Sequence, residues 1–522
     1  MKLISYDRNS MLLQACLDEK VLIVKELLSS SSVDINTKAK AGWTPVLIAA
    51  FKGNVELFTL LVKEECDLSN KLDDGKNILH VACLSDNVDI AEYLLSHGIS
   101  NIDSTDKTGR TPVICAAEKG SKKVFDLLVS KGCNLSVVDD LSRNILHVAC
   151  LSDNVDLVKD LISHGITDIE SRGEDGATPV MYAAEKGNKR VVDLLVNKGC
   201  KLSVVDDRGR NILHVACLSD NVDLVKDLIS HGIADIESRG EDGATPVMYA
   251  AEKGNKRVVD LLVNKGCKLS VVDDRGRNIL HVACLSDNVH IVEDLFLLGI
   301  ADIESRGKDG GTSVMYAAEQ GNKRVVDLLM NKGCKLSVVD DRGRNILHAA
   351  CFSDNVHIVE DLFLLGIADI ESRGKDGGTS VMYAAEKGNK RVVDLLMNKG
   401  CILSVVDDRS KNILHAACMS DNADIVEDLL SRGIAGIESK DKNGATPVMY
   451  AAEKGNKKVV DLLVSKGCNL SVVDDLGRNI LHAACLSDNV DIVEDLLRHG
   501  IVDIESKDKN GATPVMYAAE GQ

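Results

Sequence analysis

Cysteine and histidine are the residues of this chain best suited to chemistry, and both recur on a fixed interval. One cysteine set is Cys83, Cys150, Cys217, Cys284, Cys351, Cys418 and Cys485; a second is Cys133, Cys200, Cys267, Cys334, Cys401 and Cys468. The recurrent histidines are His80, His147, His214, His281, His348, His415 and His482. His214 and Cys217 lie three residues apart, which on a helix makes half of a zinc site. The flanking segments offer only Met181 and Ala184 at the matching places, so no four-ligand cluster assembles and no metal is expected. The thiols read as free and buried. A catalytic histidine would need a different partner at each copy, so a structural hydrogen bond between turns is expected. Gly307-Lys308 resembles part of a phosphate loop, but Asp302 replaces the required earlier glycine and Asp309 the following Ser or Thr. Asn134-Leu135-Ser136 fits a glycosylation acceptor, which has no consequence without a secretory signal. Tyr182 and its copies at 249, 316, 383, 450 and 517 form a ladder. It suits either base stacking or packing between neighbours, and the acidic charge favours packing. No catalytic residue, cofactor or small-molecule substrate is expected, and the chain does not read as an enzyme.

The elements behind these residues follow from composition and repetition. The 522 residues carry 62 Lys+Arg against 80 Asp+Glu, a net charge of −18, which argues against a nucleic-acid partner. Aromatic residues are only 3%, so many small interfaces are expected rather than one large core. No apolar run reaches the length of about 18 residues needed to span a membrane. The start MKLISYDRNS lacks the apolar stretch of a secretory signal. With unpaired cysteines, this points to the cytoplasm.

Gly42-Trp43-Thr44-Pro45 returns as Gly109-Arg110-Thr111-Pro112 and as Gly176-Ala177-Thr178-Pro179, and the frame restarts at Gly243, Gly310, Gly377, Gly444 and Gly511, in steps of 67 residues. Each unit splits into halves of 33 and 34 residues, as in 176–208 and 209–242. Thr178-Pro179 predicts a helix start, with the Thr side chain as cap and Pro at the first position. Asn211 takes the capping place in the other half. The first helix is expected from Pro179 to about Lys186, ending at Gly187, or at Asp220-Asn221 in the partner half. The second runs from about Lys189 to Lys198, with Val191, Leu194 and Leu195 on one side and Val192 and Val196 elsewhere, and Gly199 closes it. The charged stretch that follows carries tight-turn chemistry for a hairpin.

The unit G-x-T-P-x-x-x-A-A-x-x-G-x-x-x-V-V-x-L-L-x-x-x-G resembles the ankyrin repeat, over residues 42–510 and more weakly over 8–41. Two departures stand out: Met181 where the family has His, and Asn211-Ile212 where it has Thr-Pro. The resemblance implies an all-α fold, an ankyrin-repeat solenoid of helix-loop-helix units with projecting β-hairpin loops and a concave inner face. Residues 1–41 then form a degenerate N-terminal capping repeat, 42–510 fourteen repeats, and 511–522 a truncated final repeat whose missing second helix leaves apolar surface uncovered.

It further implies a non-enzymatic scaffold or adaptor that binds other proteins through the concave face and hairpin tips. The alternatives are an adaptor of the spectrin-binding, membrane–cytoskeleton type, or the ankyrin part of a longer enzyme or regulatory inhibitor. Carried over by position, the contact residues are Glu174, Asp175, Ala177, Glu185 and Lys186 in one half and Asp207, Arg208, Arg210, Leu218 and Ser219 in the other. Leu84, Leu151, Leu218, Leu285, Phe352, Met419 and Leu486 share one position in successive units, where the other half usually has Glu. They form either an apolar stripe for an extended peptide or amphipathic helix, or packing against the neighbouring repeat.

Overall fold

Helix starts in this chain are set by two different residues, and they work differently. At each Asn-Ile-Leu-His, the asparagine side chain caps the helix. Asn211 Oδ1 accepts from Leu213 N at 3.0 Å and from His214 N at 3.2 Å, and His214 Nδ1 accepts in return from Asn211 N at 3.2 Å. Two orphan ends of the helix are thus satisfied reciprocally. At most Thr-led starts the threonine does not cap as the sequence suggested; Thr44 does, its Oγ1 accepting from Leu47 N at 3.5 Å. Thr178 Oγ1 is buried with no hydrogen-bond partner among the described residues, as are the hydroxyls of Thr111, Thr245, Thr312, Thr379 and Thr446. Met181 N donates instead to Thr178 O at 2.9 Å, tightening the first turn.

A computed structural model describes residues 8–29, 33–163, 165, 168–230, 232, 235–299, 302–367, 369–433, 436–487, 489–498 and 504–520. Residues 1–7 of the expected capping repeat and 521–522 of the expected final repeat lie outside them. Among the described residues the secondary structure is helical, with one 3-10 turn at Lys40–Gly42 and no strand beyond four isolated bridges such as Val138 to Asn144. Each repeat is a helix pair. Pro179–Glu185 ends at Gly187, whose φ of +73° reverses the chain, and Lys189–Asn197 follows. The second helix buries Val191, Val192 and Leu195, leaving Leu194 and Val196 half-buried. In the other half the first helix is only Ile212–Ala216, four residues short of the expected end at Asp220. Asn221 instead caps the second helix through Leu224 N at 3.1 Å and donates to Gly187 O of the preceding repeat at 2.7 Å.

The projecting loops are turns closed by single backbone pairs, such as Asp206 N to Arg210 O at 3.0 Å and Gly209 N to Asp206 O at 2.9 Å. Successive tips are joined: Glu174 N donates to Leu141 O at 2.9 Å, Asp207 N to Asp175 O at 2.9 Å and Glu241 N to Arg208 O at 2.8 Å. A Cβ at Gly176 (φ +72°) would meet the Asp207 amide nitrogen at 2.9 Å and its carboxylate closer still, so glycine is required where the tips abut.

The chain divides into two compact units, Met1–Ala250 with Arg257–Lys268, and Ala251–Lys256 with Leu269–Gln522. In the first, Arg8–Leu17 and Val21–Leu28 pack on Pro45–Lys52 and Val55–Lys63, and the later helix pairs as far as Ile212–Ala216 each pack on the one before. In the second, Ser313–Gln320, Ile346–Ala350, Ser380–Lys387, Ile413–Cys418 and Pro447–Glu453 form a comparable row. The last helix, Pro514–Glu520, leaves Val515 and Met516 60% and 55% exposed, while their counterparts Val180 and Met181 are 1% and 2% exposed.

Candidate protein-binding surface

The first question is which polar groups the stack uses to hold itself together. Each recurrent histidine does so with both ring nitrogens. His214 Nε2–H donates to Ser238 O, in the loop that closes its own repeat, at 3.1 Å, and Nδ1 faces Asn211. His147 reaches Ser171 O at 3.0 Å and His281 reaches Ser305 O at 2.9 Å in the same way. Burial holds the His214 imidazole below its ordinary range, against the raising effect of the Ser238 and Ala244 carbonyls, so it stays neutral. The expectation of a structural hydrogen bond between turns is met. The tyrosines pack between repeats: the Tyr182 ring stands edge-on to His147 at 5.5 Å, and its hydroxyl donates to Asp175 Oδ1 at 3.1 Å.

All sixteen cysteines are free thiols. Burial raises Cys217 well above the thiol range, and Cys200 sits at about 11, so neither is poised as a nucleophile. No group of three or more His, Cys, Asp or Glu able to hold a metal occurs among the described residues. Shallow clefts of about 420 Å³ recur at Gly120 and at Gly321. Their polar linings are engaged in the stack, Ser152 Oγ with Ala149 O at 2.7 Å and Asn154 Nδ2 with Gly120 O at 2.7 Å.

Several residues expected to meet a partner serve the fold. Arg210 is drawn in by Asp206, with Nε and Nη2 each 2.7 Å from Oδ2, and its side chain is 13% exposed. Ser219 is buried, its Oγ donating to Ala216 O at 2.8 Å and accepting from Asn221 N at 3.4 Å. Ala177 is also buried, at the foot of the turn. Asp175 is exposed but already accepts from Tyr182 and from Ala177 N. Glu174, Glu185, Lys186, Asp207 and Arg208 are exposed.

The apolar stripe lies between the two readings. Leu84, Leu151 and Leu218 in the first unit, and Leu285, Phe352, Met419 and Leu486 in the second, are all half-buried. Each follows the short first helix or ends it, beside a fully buried cysteine in most copies. Phe352 shows where the covered half goes. Its ring lies 5.5 Å from Tyr383 of the next repeat, with the Arg344 guanidinium at 5.3 Å and the Lys387 ammonium at 5.1 Å.

Two features escaped the sequence reading. Lys189 Nζ bridges Asp193 at 2.8 Å and Asp227 of the next repeat at 2.7 Å, and Lys122, Lys323, Lys390 and Lys457 make the same double contact. Glu170 Oε1 accepts from Lys201 N at 2.7 Å, a bond repeated from Glu237 to Lys268 N. The 67-residue periodicity of these charges was the available signal.

A family model for ankyrin repeats (three copies) matches in overlapping windows that run from residue 12 to residue 522. The human transient receptor potential cation channel subfamily A member 1 is 24% identical over 460 residues, covering 78% of this chain and 41% of that protein. The E3 ubiquitin-protein ligase KEG of Arabidopsis thaliana is 25% identical over 292 residues, 53% of this chain and 18% of the relative. Human Rabankyrin-5 is 24% identical over 322 residues, 60% and 27% respectively. The chain therefore spans less than half the length of these curated relatives. No described helix is long and apolar enough to cross a membrane.

Proposed function

This chain belongs to the ankyrin-repeat family, and on that premise we propose that it is a non-catalytic scaffold that captures other proteins along its apolar stripe. Ankyrin repeats are in general protein-interaction modules. The observation that carries the reading is the state of one position: Leu84, Leu151 and Leu218 stay half-exposed while the histidines, asparagines and lysines around them are committed to holding the stack together. Glu185 is exposed at the equivalent place of the alternate half, so apolar and acidic residues alternate along the surface. Such a surface suits a partner segment with spaced apolar side chains and basic residues between them. Near-identical copies favour repetitive partners through avidity. The exposed Glu174, Asp207 and Arg208 at the joined tips form the rim of the same interaction. The cytoplasm is the proposed compartment, in keeping with sixteen free thiols.

A random peptide library panned on the full chain and on L84E/L151E/L218E tests this. Enrichment of peptides by the native chain alone, with unchanged thermal unfolding of the variant, is the expected result. Equal enrichment by both would reject the stripe, and an unfolded variant would assign these leucines to packing.

A second reading is favoured by the length of the relatives. The stack would be the recognition part of a longer protein, delivering a partner to an activity held elsewhere, and the same peptides would then bind without any turnover by this chain.

A further inference from the structure

Joined tips in the second unit carry a charge pattern that the first unit lacks. Lys308 N donates to Arg275 O, Lys375 N to Arg342 O and Lys442 N to Arg409 O, each at 2.7 Å. Each join therefore sets an arginine beside a lysine. In the first unit the same join sets Arg208 beside Glu241, two opposite charges, and the lysine position there also holds Glu174. All six cations are exposed, and no hydrogen bond or ion pair engages their side chains among the described residues. Exposed like charges side by side repel, and the join of Arg208 to Glu241 shows that the fold does not require them.

The acids next in sequence to the lysines are held in their own turns. Asp309 accepts from the Tyr316 hydroxyl and from Gly311 N at 3.1 Å, and Asp376 from the Tyr383 hydroxyl at 2.7 Å and from Gly378 N at 3.1 Å. Asn443 follows Lys442. The intervening joins are anionic, Asp341 N to Asp309 O and Asp408 N to Asp376 O, each at 2.8 Å. Cationic and anionic pairs thus alternate along the tips. Successive cationic pairs stand two repeats apart, roughly 16–20 Å at ordinary helix spacing. A continuous polyanion does not suit this ridge, because its charges recur every few ångströms and would meet the aspartates between the cationic pairs. Discrete dianions set at intervals do suit it.

We infer that these tips bind a protein segment phosphorylated at two or three sites, one phosphoryl group to each arginine–lysine pair. A phosphoserine carries about −1.5 to −2 charges at neutral pH and three strong acceptor oxygens, enough to engage a guanidinium and an ammonium together. In an extended segment, residues i and i+6 point the same way and lie about 20 Å apart, which matches the interval between pairs. Two phosphoryl groups engaged at once gain by avidity. These residues are separate from the stripe of Leu84, Leu151 and Leu218, so failure of either reading leaves the other standing.

Fluorescence anisotropy of Gly-Ala peptides with the full chain tests the inference. The peptides carry no phosphoserine, one, or two placed at i and i+3 or at i and i+6. The i, i+6 peptide should bind about tenfold or more tightly than the singly phosphorylated and the i, i+3 peptides, and the unphosphorylated peptide should not bind. K308E/K375E/K442E installs the glutamate that sibling repeats carry at 174 and 241, so thermal unfolding should be unchanged while affinity for the i, i+6 peptide falls about tenfold or more. L84E/L151E/L218E should bind that peptide as the native chain does. Absence of binding by both doubly phosphorylated peptides overturns the inference, as does an affinity indifferent to phosphorylation or to spacing, undiminished binding by the lysine variant, or loss of binding in a folded stripe variant. Binding of polyuridylate RNA or of phosphatidylserine–phosphatidylcholine vesicles more tightly than the i, i+6 peptide, lost in the lysine variant, would reassign the pairs to a polyanion or a lipid surface and equally overturn it.

Discussion

Lys189 Nζ lies 2.7 Å from Asp227 Oδ2, joining the second helices of two consecutive repeats with one ammonium group that is also held by Asp193. Both side chains are partly exposed, at 28% and 41%, so water screens the pair. K189M should therefore cost only about 0.2–1 kcal/mol in urea unfolding. That cost should shrink further in molar salt, where the Debye length falls to about 3 Å. A loss several times larger, or one indifferent to salt, would mean that the staple is more desolvated than its exposure indicates.

His214 should matter far more than an exposed histidine. It completes the capping box with Asn211 and bonds Ser238 O in the loop that closes the repeat, both from a fully buried ring. H214A leaves the Ser238 carbonyl without this donor and a cavity behind, at about 2–4 kcal/mol. H290A, on the exposed face, should stay within about 0.5 kcal/mol. Chemical unfolding of the two variants against the native chain measures the contrast, and similar losses would refute the assignment.

The silent threonine hydroxyls make a prediction of opposite sign. Thr178 Oγ1 is buried without a partner, so T178V removes an unsatisfied group while keeping the shape. Stability should be unchanged or rise by up to about 1 kcal/mol. N211A, which deletes a working cap, should lose about 0.5–2 kcal/mol. Destabilisation by T178V comparable to N211A would show that the hydroxyl is bonded in solution.

Stability should form a plateau in pH. His214 is held by burial below its ordinary 6.5, as are His80, His147, His281, His348 and His415. A base with a lowered folded pKa binds fewer protons folded than unfolded, so its contribution is lost as pH falls below about 6.5. Burial raises the Cys217 and Cys284 thiols above their ordinary 9.0. An acid with a raised folded pKa binds more protons folded, so that contribution is lost as pH rises past about 9. The urea midpoint should be highest between about pH 6.5 and 9 and fall on both sides. A midpoint that keeps rising as the solution is acidified would contradict this.

Helix pairs were legible in the sequence because their signals are local. Pro179 at a first position, Asn211 at a cap and Gly187 at a turn each act within a few residues. What failed were effects set by a partner elsewhere. Thr178 looked like a cap, but its hydroxyl is buried without a partner and Met181 N turns to the Thr178 carbonyl instead. Arg210 looked like a tip residue until Asp206, four positions earlier, drew it inward. Ser219 reads as surface by composition, yet the short helix ending at Ala216 folds it back onto the Ala216 carbonyl. The lysine staples need an aspartate 38 residues away, a separation only the stacked repeats bring together. The lysines at 308, 375 and 442 were hidden for another reason: they are departures from the repeat, and attention to the shared pattern passes over them.

The central claim is that Leu84, Leu151 and Leu218 mark where a partner lies. The most direct test is hydrogen exchange of the full chain with and without a peptide selected by panning. Protection should appear around residues 82–86, 149–153 and 216–220 together, with the joined tips near 174–175 and 207–208 affected less. Protection confined to the second helices, or none at these three places despite saturation, would contradict the account.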